Sequence, residues 1–131
     1  MEKVIKWREE LRSRAIELAR QVAGKVQGTV FLVGSYARGD FMEDSDIDVL
    51  IIAQFTEPPH RRLMNLDVPL GVEVIALTVN EALNAVTKCY PIAQDIALGI
   101  ILKDDLDIAE KLIRLAKACT NQSTTTTAVN T

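Results

Sequence analysis

Two aspartates at the start of an apolar run are the residues of this chain best suited to chemistry. Asp46 and Asp48 stand two residues apart at the beginning of the run IDVLIIA, 47–53. On a β-strand, residues with this spacing point to the same side of the sheet. Two such carboxylates repel each other unless a cation lies between them, and together they can hold divalent cations beside a bound phosphate. The pair Gly34-Ser35 precedes Asp46, with ten residues between Ser35 and Asp46. At such a turn the backbone can approach a phosphate closely, and the serine hydroxyl can donate a hydrogen bond to it.

Two strands and a short helix are predicted to position these residues. Thr29–Val33 is rich in β-branched and aromatic residues, which favours a strand that ends at the Gly-Ser turn. Ile47–Ala53 is apolar on both sides beyond its aspartate, as expected for a strand buried on both faces. Between the two strands, residues 35–41 are predicted to form a short helix. Its first N–H groups would point towards a ligand bound over the Gly-Ser turn.

The remaining pattern predicts a single domain of class α/β (α+β), with a small β-sheet flanked by helices. A third strand is predicted at 71–77, where Glu73 interrupts an apolar run, although charged residues are seldom buried unless paired or bound to metal. The domain is assigned to residues 1–118, and the low-complexity polar segment 119–131 is predicted to be disordered. A helix is predicted at 3–23, with Val4, Leu11, Leu18 and Val22 on one apolar stripe beside Ala15 and Ala19. The other predicted elements are a helix from a Thr78–Glu81 capping box to about Lys88, a helix from Pro91 to Gly99, a short strand at 100–102 and a helix at 104–118.

Composition narrows the classes of function. The 131 residues are 48% hydrophobic and carry a net charge of −3, so no global basic character indicates nucleic acid as a direct substrate. No run reaches the roughly 18 apolar residues of a membrane span, and the charged N-terminal segment does not resemble a signal peptide, which together predict a cytoplasmic protein. Cys89 and Cys119 lack metal-ligand spacing, and Cys89 is interpreted as a small core residue. The single histidine, His60, is not assigned as a base.

The Gly34-Ser35, ten-residue, Asp46-Ile47-Asp48 pattern resembles the signature of the minimal nucleotidyltransferases, small members of the DNA polymerase beta-like superfamily. This resemblance implies the nucleotidyltransferase fold, with a mixed sheet, and a third carboxylate from an adjacent strand, for which Glu73 is the candidate. It implies ATP as substrate and two Mg²⁺ ions as cofactors. The implied nucleotide-binding residues are Gly34, Ser35, Arg38 and Ser45, and the implied metal-binding and catalytic residues are Asp46, Asp48 and Glu73.

The same resemblance implies an acceptor. Minimal nucleotidyltransferases with this form of the motif act as antitoxins that transfer AMP to a tyrosine of a HEPN-domain toxin. Two alternatives stay open: a catalytically silent module that neutralises its partner by binding, and a nucleotidyltransferase for a small molecule. Structural alternatives exist for individual residues as well. Gly34-Ser35 can be an ordinary turn, Arg38 can form a surface ion pair with Asp40 or Glu43, and Glu73 can lie on an exposed sheet edge.

Overall fold

A computed structural model defines the fold; it describes the backbone of residues 2–130 and the side chains of residues 2–120. Helices and strands follow one another closely, with one long connection between the second and third strands. The elements are α1 (Glu2–Ala23), β1 (Thr29–Val33), α2 (Gly34–Arg38), β2 (Ile47–Ala53), a 3₁₀ turn (Pro59–Arg61), β3 (Val72–Thr78), α3 (Val79–Thr87), α4 (Pro91–Ala97), β4 (Ile100–Asp104) and α5 (Ala109–Asn130).

The four strands form one mixed sheet in the order β3-β2-β1-β4. β1 lies antiparallel to both β2 and β4, whereas β2 and β3 run parallel. The strands predicted at Thr29–Val33 and Ile47–Ala53 are confirmed with these bounds, and the third strand is displaced by one residue from its predicted range. The predicted fold class, a small mixed sheet flanked by helices in one domain, is confirmed.

Each face of the sheet is covered by helices. On one face, α1 packs through Ala15, Ala19 and Val22, which are 1%, 0% and 0% exposed, because small residues let the helix approach the strands closely. On the other face, α3, α4 and α5 enclose the second half of the core. The prediction that Val4 belongs to the buried stripe is wrong: it is 59% exposed, since the first turns of α1 carry none of the buried residues of that helix.

The start of α3 is fixed by side chains. The predicted capping box is confirmed: the Thr78 hydroxyl accepts from the N–H of Glu81 at 3.1 Å, and the Glu81 carboxylate accepts from the N–H of Thr78 at 2.8 Å. Arg62 donates to the same carboxylate at 2.6 Å and to the carbonyl of Ala76 at 3.1 Å. The bonds from Arg62 and then from Thr78 lower the pKa of Glu81, and Arg62 ties the long connection to β3 and α3.

The last helix begins later than predicted. Residues from Asp104 were expected to be helical, but Asp104 ends β4, and its carboxylate accepts from the N–H groups of Ile108 and Ala109 at 3.0 and 3.2 Å. It also accepts from the buried hydroxyl of Thr29 at 2.7 Å, so one strand residue caps the helix and joins it to β1. The backbone of this helix continues to Asn130, through most of the segment 119–131 for which disorder was predicted; the side chains beyond residue 120 lie outside the described part of the structure.

A disulfide joins Cys89, just after α3, to Cys119 in α5, with the Cα atoms 5.4 Å apart. Cys89 is exposed and has a positive φ of 59°, so its interpretation as a core residue is wrong. Residue spacing indicates neither the pairing nor the exposure, because both depend on how α3 packs against α5. Among the described residues, no helix combines the length and apolarity that crossing a bilayer requires.

Candidate active site

Asp48 lies at the centre of the candidate site, near the start of β2. Its neighbours across the sheet are Val33 at the end of β1 and Glu73 near the start of β3. Paired residues of adjacent strands project from the same side of a sheet, so the side chains of Asp48 and Glu73 leave the same face side by side. Glu73 is exposed on the edge strand. Glu73 therefore lies on an exposed sheet edge, as the purely structural interpretation predicts. It also lies beside Asp48, as a third metal-binding carboxylate would have to.

Negative charge concentrates around Asp48. Its pKa is raised above the ordinary value, first because the carboxyl group is partly buried and then because Glu73, Asp46 and Asp95 place further negative charge near it. The guanidinium of Arg38 opposes this shift. Three carboxylates thus act on Asp48 against one guanidinium, an arrangement that a bound divalent cation would relieve.

Gly34 brings the turn against this carboxylate. Its φ of +73° lies in the left-handed region, and a Cβ built on it would collide with Oδ2 of Asp48. Glycine is therefore needed here for two reasons, the backbone conformation and the close approach. Ser35, the next residue, is partly exposed at the start of α2, and no described side chain caps that helix.

Arg38 and Ser45 have protein partners in this structure. Arg38 is exposed and forms ion pairs with Asp40 at 3.2 Å and with Asp95 at 3.8 Å. The Ser45 hydroxyl accepts from the N–H of Met42 at 2.7 Å, and the Ser45 N–H donates to the Met42 carbonyl at 3.1 Å, which closes the loop before Asp46. The role of both residues in nucleotide binding stays a prediction.

The candidate metal ligands are near one another but do not form a ready-made cage. Asp46 is exposed in the residue before β2, and Glu73 projects from the edge strand. Over the described part of the chain, no group of three or more His, Cys, Asp or Glu side chains is placed to hold a metal ion as it stands. The donor chemistry nevertheless fits Mg²⁺, which in nucleotide sites takes one or two carboxylates together with phosphate oxygens and water.

Asp95 is the residue of this site that sequence reasoning missed. It lies in α4, pairs with Arg38 and contributes to the raised pKa of Asp48. One signal was available in the sequence, since Asp95 is the lone charged residue of the helix PIAQDIA. Its direction, however, follows from the packing of α4 against the sheet, which the sequence pattern does not give.

Several solved structures are similar to this chain. A crystal structure of a candidate nucleotidyltransferase from Sulfolobus solfataricus shares the fold, with a TM-score of 0.56, 22% identity, and coverage of 72% of this chain and 84% of that one. Two toxin-antitoxin crystal structures, one with AMP-PNP and one of an MntA-HpeT mutant, cover 91% of this chain and 95% of theirs, at 17% and 16% identity and TM-scores of 0.46 and 0.45. No curated protein matches the chain.

A protein family also matches most of this chain. The family described as "Nucleotidyltransferase domain" matches residues 15–114, which include every residue of the candidate site from Gly34 to Asp95. This range covers more than half of the 131 residues. The family membership predicted from the Gly-Ser and Asp-x-Asp motif is thereby confirmed, and the chain belongs to the nucleotidyltransferase domain family.

Proposed function

We propose that this chain is a Mg²⁺-dependent enzyme that transfers AMP from ATP to a hydroxyl group of a partner protein. The observation that carries the proposal is the meeting of Asp48, Glu73 and Asp46 with the left-handed turn at Gly34. Carboxylates suited to a divalent cation and backbone N–H groups suited to phosphate then lie on the two sides of one small site. Nucleotidyl transfer is the chemistry of the family, and it uses both.

The residues of the chain divide the work between binding and proton transfer. The N–H groups of Gly34 and Ser35, with the Ser35 hydroxyl, bind the outer phosphates, and Arg38 exchanges its ion pairs for a bidentate contact with a phosphate. Asp46, Asp48 and Glu73 would hold the cations. Two bound Mg²⁺ ions would neutralise charge on the leaving pyrophosphate and lower the pKa of the acceptor hydroxyl.

Glu73 is the residue best placed to handle the proton of the acceptor. It is exposed, so an acceptor arriving from solvent can reach it, whereas Asp48 is partly buried beneath the turn. Glu73 takes the proton as the hydroxyl oxygen attacks the α-phosphorus in line and pyrophosphate leaves. Most of the rate enhancement then comes from positioning and from charge stabilisation.

The acceptor that we propose is a tyrosine of a HEPN-domain toxin, which makes the chain an antitoxin that acts in the cytoplasm. The support is the resemblance of its motif to the minimal nucleotidyltransferases. A second support is the exposed apolar surface on the first turns of α1, where Val4, Ile5 and Trp7 are 59%, 57% and 42% exposed. An enzyme that modifies a protein needs a surface on which that protein can dock.

The experiment uses ATP labelled at the α-phosphate and, in parallel, ATP labelled at the γ-phosphate. Each is incubated with Mg²⁺, the purified chain and a purified HEPN-domain protein as the proposed partner. Label from the α-phosphate alone should be retained on the partner, and intact mass should show whole AMP units on a tyrosine. Asp48→Asn should abolish the transfer, whereas Asp67→Asn, which removes the same charge at a fully solvated site, should not.

A silent binding module is the second candidate. It is favoured by the exposure of Glu73 and by the lack, over the described residues, of a ready-made group of three metal-ligating side chains. In that case neither label would be transferred, and Asp48→Asn would neutralise the partner as well as the unmodified chain does. Transfer of the α-label that depends on Asp48 excludes this candidate.

A further inference from the structure

The nucleotide side of the site depends on a helix that is too short to hold its own position. α2 has five residues, Gly34–Arg38, and isolated helices below about 12 residues are marginal in water. The carboxylate side is different, because Asp48 and Glu73 are fixed by the hydrogen-bond ladders of the sheet. Contacts from elsewhere must therefore set the position of α2 relative to the carboxylates.

Arg12 of α1 supplies one set of these contacts. Its Nε donates to the carbonyl of Tyr36 at 3.1 Å, and its Nη2 donates to the carbonyl of Ala37 at 3.3 Å. Carbonyls in the last turn of a helix have no partner within the helix, and a cation near them also interacts favourably with the helix dipole. The guanidinium thus holds the C-terminal end of α2, while Ser35 lies at the other end.

Arg8, one turn earlier on α1, holds the segment that follows α2. Its two terminal nitrogens donate to the carbonyls of Gly39 and Phe41, each at 3.1 Å. Its guanidinium also lies 4.2 Å from the centroid of the Phe41 ring, a cation–π contact. The Phe41 ring in turn stacks on Tyr36 with 4.5 Å between centroids, and both rings are buried.

Spacing and chemistry both point to arginine at these positions. Residues four apart lie on the same side of a helix, so Arg8 and Arg12 face α2 together. Each contacts two carbonyls at once, which the planar fork of a guanidinium can do and the single ammonium of lysine cannot do with the same geometry. Neither side chain reaches a candidate ligand of the site itself.

We infer that Arg8 and Arg12 are positioning residues for nucleotide binding. Through the carbonyls of residues 36–41 they fix α2, and so they fix Gly34, Ser35 and Arg38 opposite Asp48. This inference deepens the proposed function and depends on it for the identity of the nucleotide. Its structural part, the fixing of α2 by the two arginines, can be measured without any nucleotide.

The experiment compares Arg12→Gln with Arg14→Gln, an exposed position on the same helix that loses the same charge. Arg12→Gln should weaken ATP binding in the presence of Mg²⁺ about tenfold, which corresponds to the loss of charged hydrogen bonds, while Arg14→Gln should bind as the unmodified chain does. Arg12→Lys should restore the charge and only part of the affinity. Amide hydrogen exchange over 35–41 should be faster in Arg12→Gln than in Arg14→Gln at equal global stability.

A role in stability alone would give a different result. Arg12→Gln would then unfold more easily and yet bind ATP with unchanged affinity when folded, and this outcome overturns the inference. If the unmodified chain binds no ATP, the proposed function fails by itself. Exchange over 35–41 then still decides the structural part: equal rates in the two variants overturn it, and faster rates in Arg12→Gln uphold it.

Discussion

Replacing Gly34 by alanine should cost more stability than a glycine substitution at an ordinary left-handed position. The φ of +73° would by itself strain an alanine by about 1–2 kcal/mol. The new Cβ would also collide with Oδ2 of Asp48 and would lie 3.1 Å from its Cγ, an overpacked contact of a kind that costs about 1–3 kcal/mol more. Together these terms predict a loss of about 2–5 kcal/mol in the free energy of unfolding.

Two comparisons separate the two terms. Gly39 also has a positive φ, 96°, but nothing lies within 4 Å of its built Cβ, so Gly39→Ala should show the strain alone, about 1–2 kcal/mol. The collision should also shrink when its partner is removed. In an Asp48→Ala background, the Oδ2 and Cγ atoms of Asp48 are removed and its Cβ stays 3.3 Å from the new methyl group, so the penalty of Gly34→Ala should fall by about 1 kcal/mol or more.

Urea unfolding of the four proteins of this cycle gives the coupling energy directly, provided that the m-values agree. A penalty for Gly34→Ala that is the same with and without the Asp48 side chain would refute the close contact between turn and carboxylate. So would equal penalties for Gly34→Ala and Gly39→Ala. Because the assay uses the unliganded protein, its result does not depend on the nucleotide or the acceptor.

Three further predictions concern stability. Because burial and neighbouring carboxylates raise the pKa of Asp48, its charged form destabilises the fold at neutral pH, and urea unfolding at that pH should show Asp48→Asn to be more stable than the unmodified chain. This difference in the free energy of unfolding should disappear as the pH falls through the raised pKa towards the ordinary 3.8. A difference that grew at low pH would contradict the prediction. Reducing the Cys89–Cys119 disulfide, whose cysteines are 30 residues apart, should lower the free energy of unfolding by about 3–4 kcal/mol, and reductant should have no effect on Cys119→Ser. Arg62→Met should cost about 1–3 kcal/mol in the free energy of unfolding, because the side chain is only 7% exposed and its bonds to the Glu81 carboxylate and the Ala76 carbonyl would be lost. Arg61→Met, at an exposed neighbouring position, should change the unfolding midpoint little.

The parts of the fold that sequence predicted well are those specified locally. The end of β1 follows from the glycine turn after it, and the start of β2 follows from the aspartate pair around it. The apolar runs between these signals leave few other choices for the ends of the two strands. The start of α3 followed from the Thr78–Glu81 spacing, which needs only the geometry of one helical turn. Gly34, Ser35, Asp46 and Asp48 were predicted in the same way, from a turn and a strand, and their role in a functional site stays a prediction.

The parts that sequence reasoning missed depend on contacts between distant segments. Asp95 reaches the site only because α4 packs on the face from which Asp48 projects. Arg12 donates to carbonyls 24 and 25 residues away, contacts that its place in an amphipathic helix does not reveal. The end of β4 was misplaced for a related reason: Asp104 has a partner on β1 that its own neighbours do not reveal.

The two sides of the site are therefore held by unlike means, and this has a consequence for how substitutions act. The carboxylates of Asp48 and Glu73 stand on backbone ladders that single side-chain changes do not break, so substituting them should alter charge and chemistry while leaving the geometry intact. The turn and α2 depend instead on side chains of α1, and substitutions there should alter the geometry of the turn without removing any carboxylate near Asp48. Gly34 belongs to both sides, because its backbone is part of the turn and the space of its missing side chain is filled by Asp48. A substitution at this residue should therefore impair nucleotide affinity and cation affinity together, as neither Arg12→Gln nor Asp48→Asn does alone.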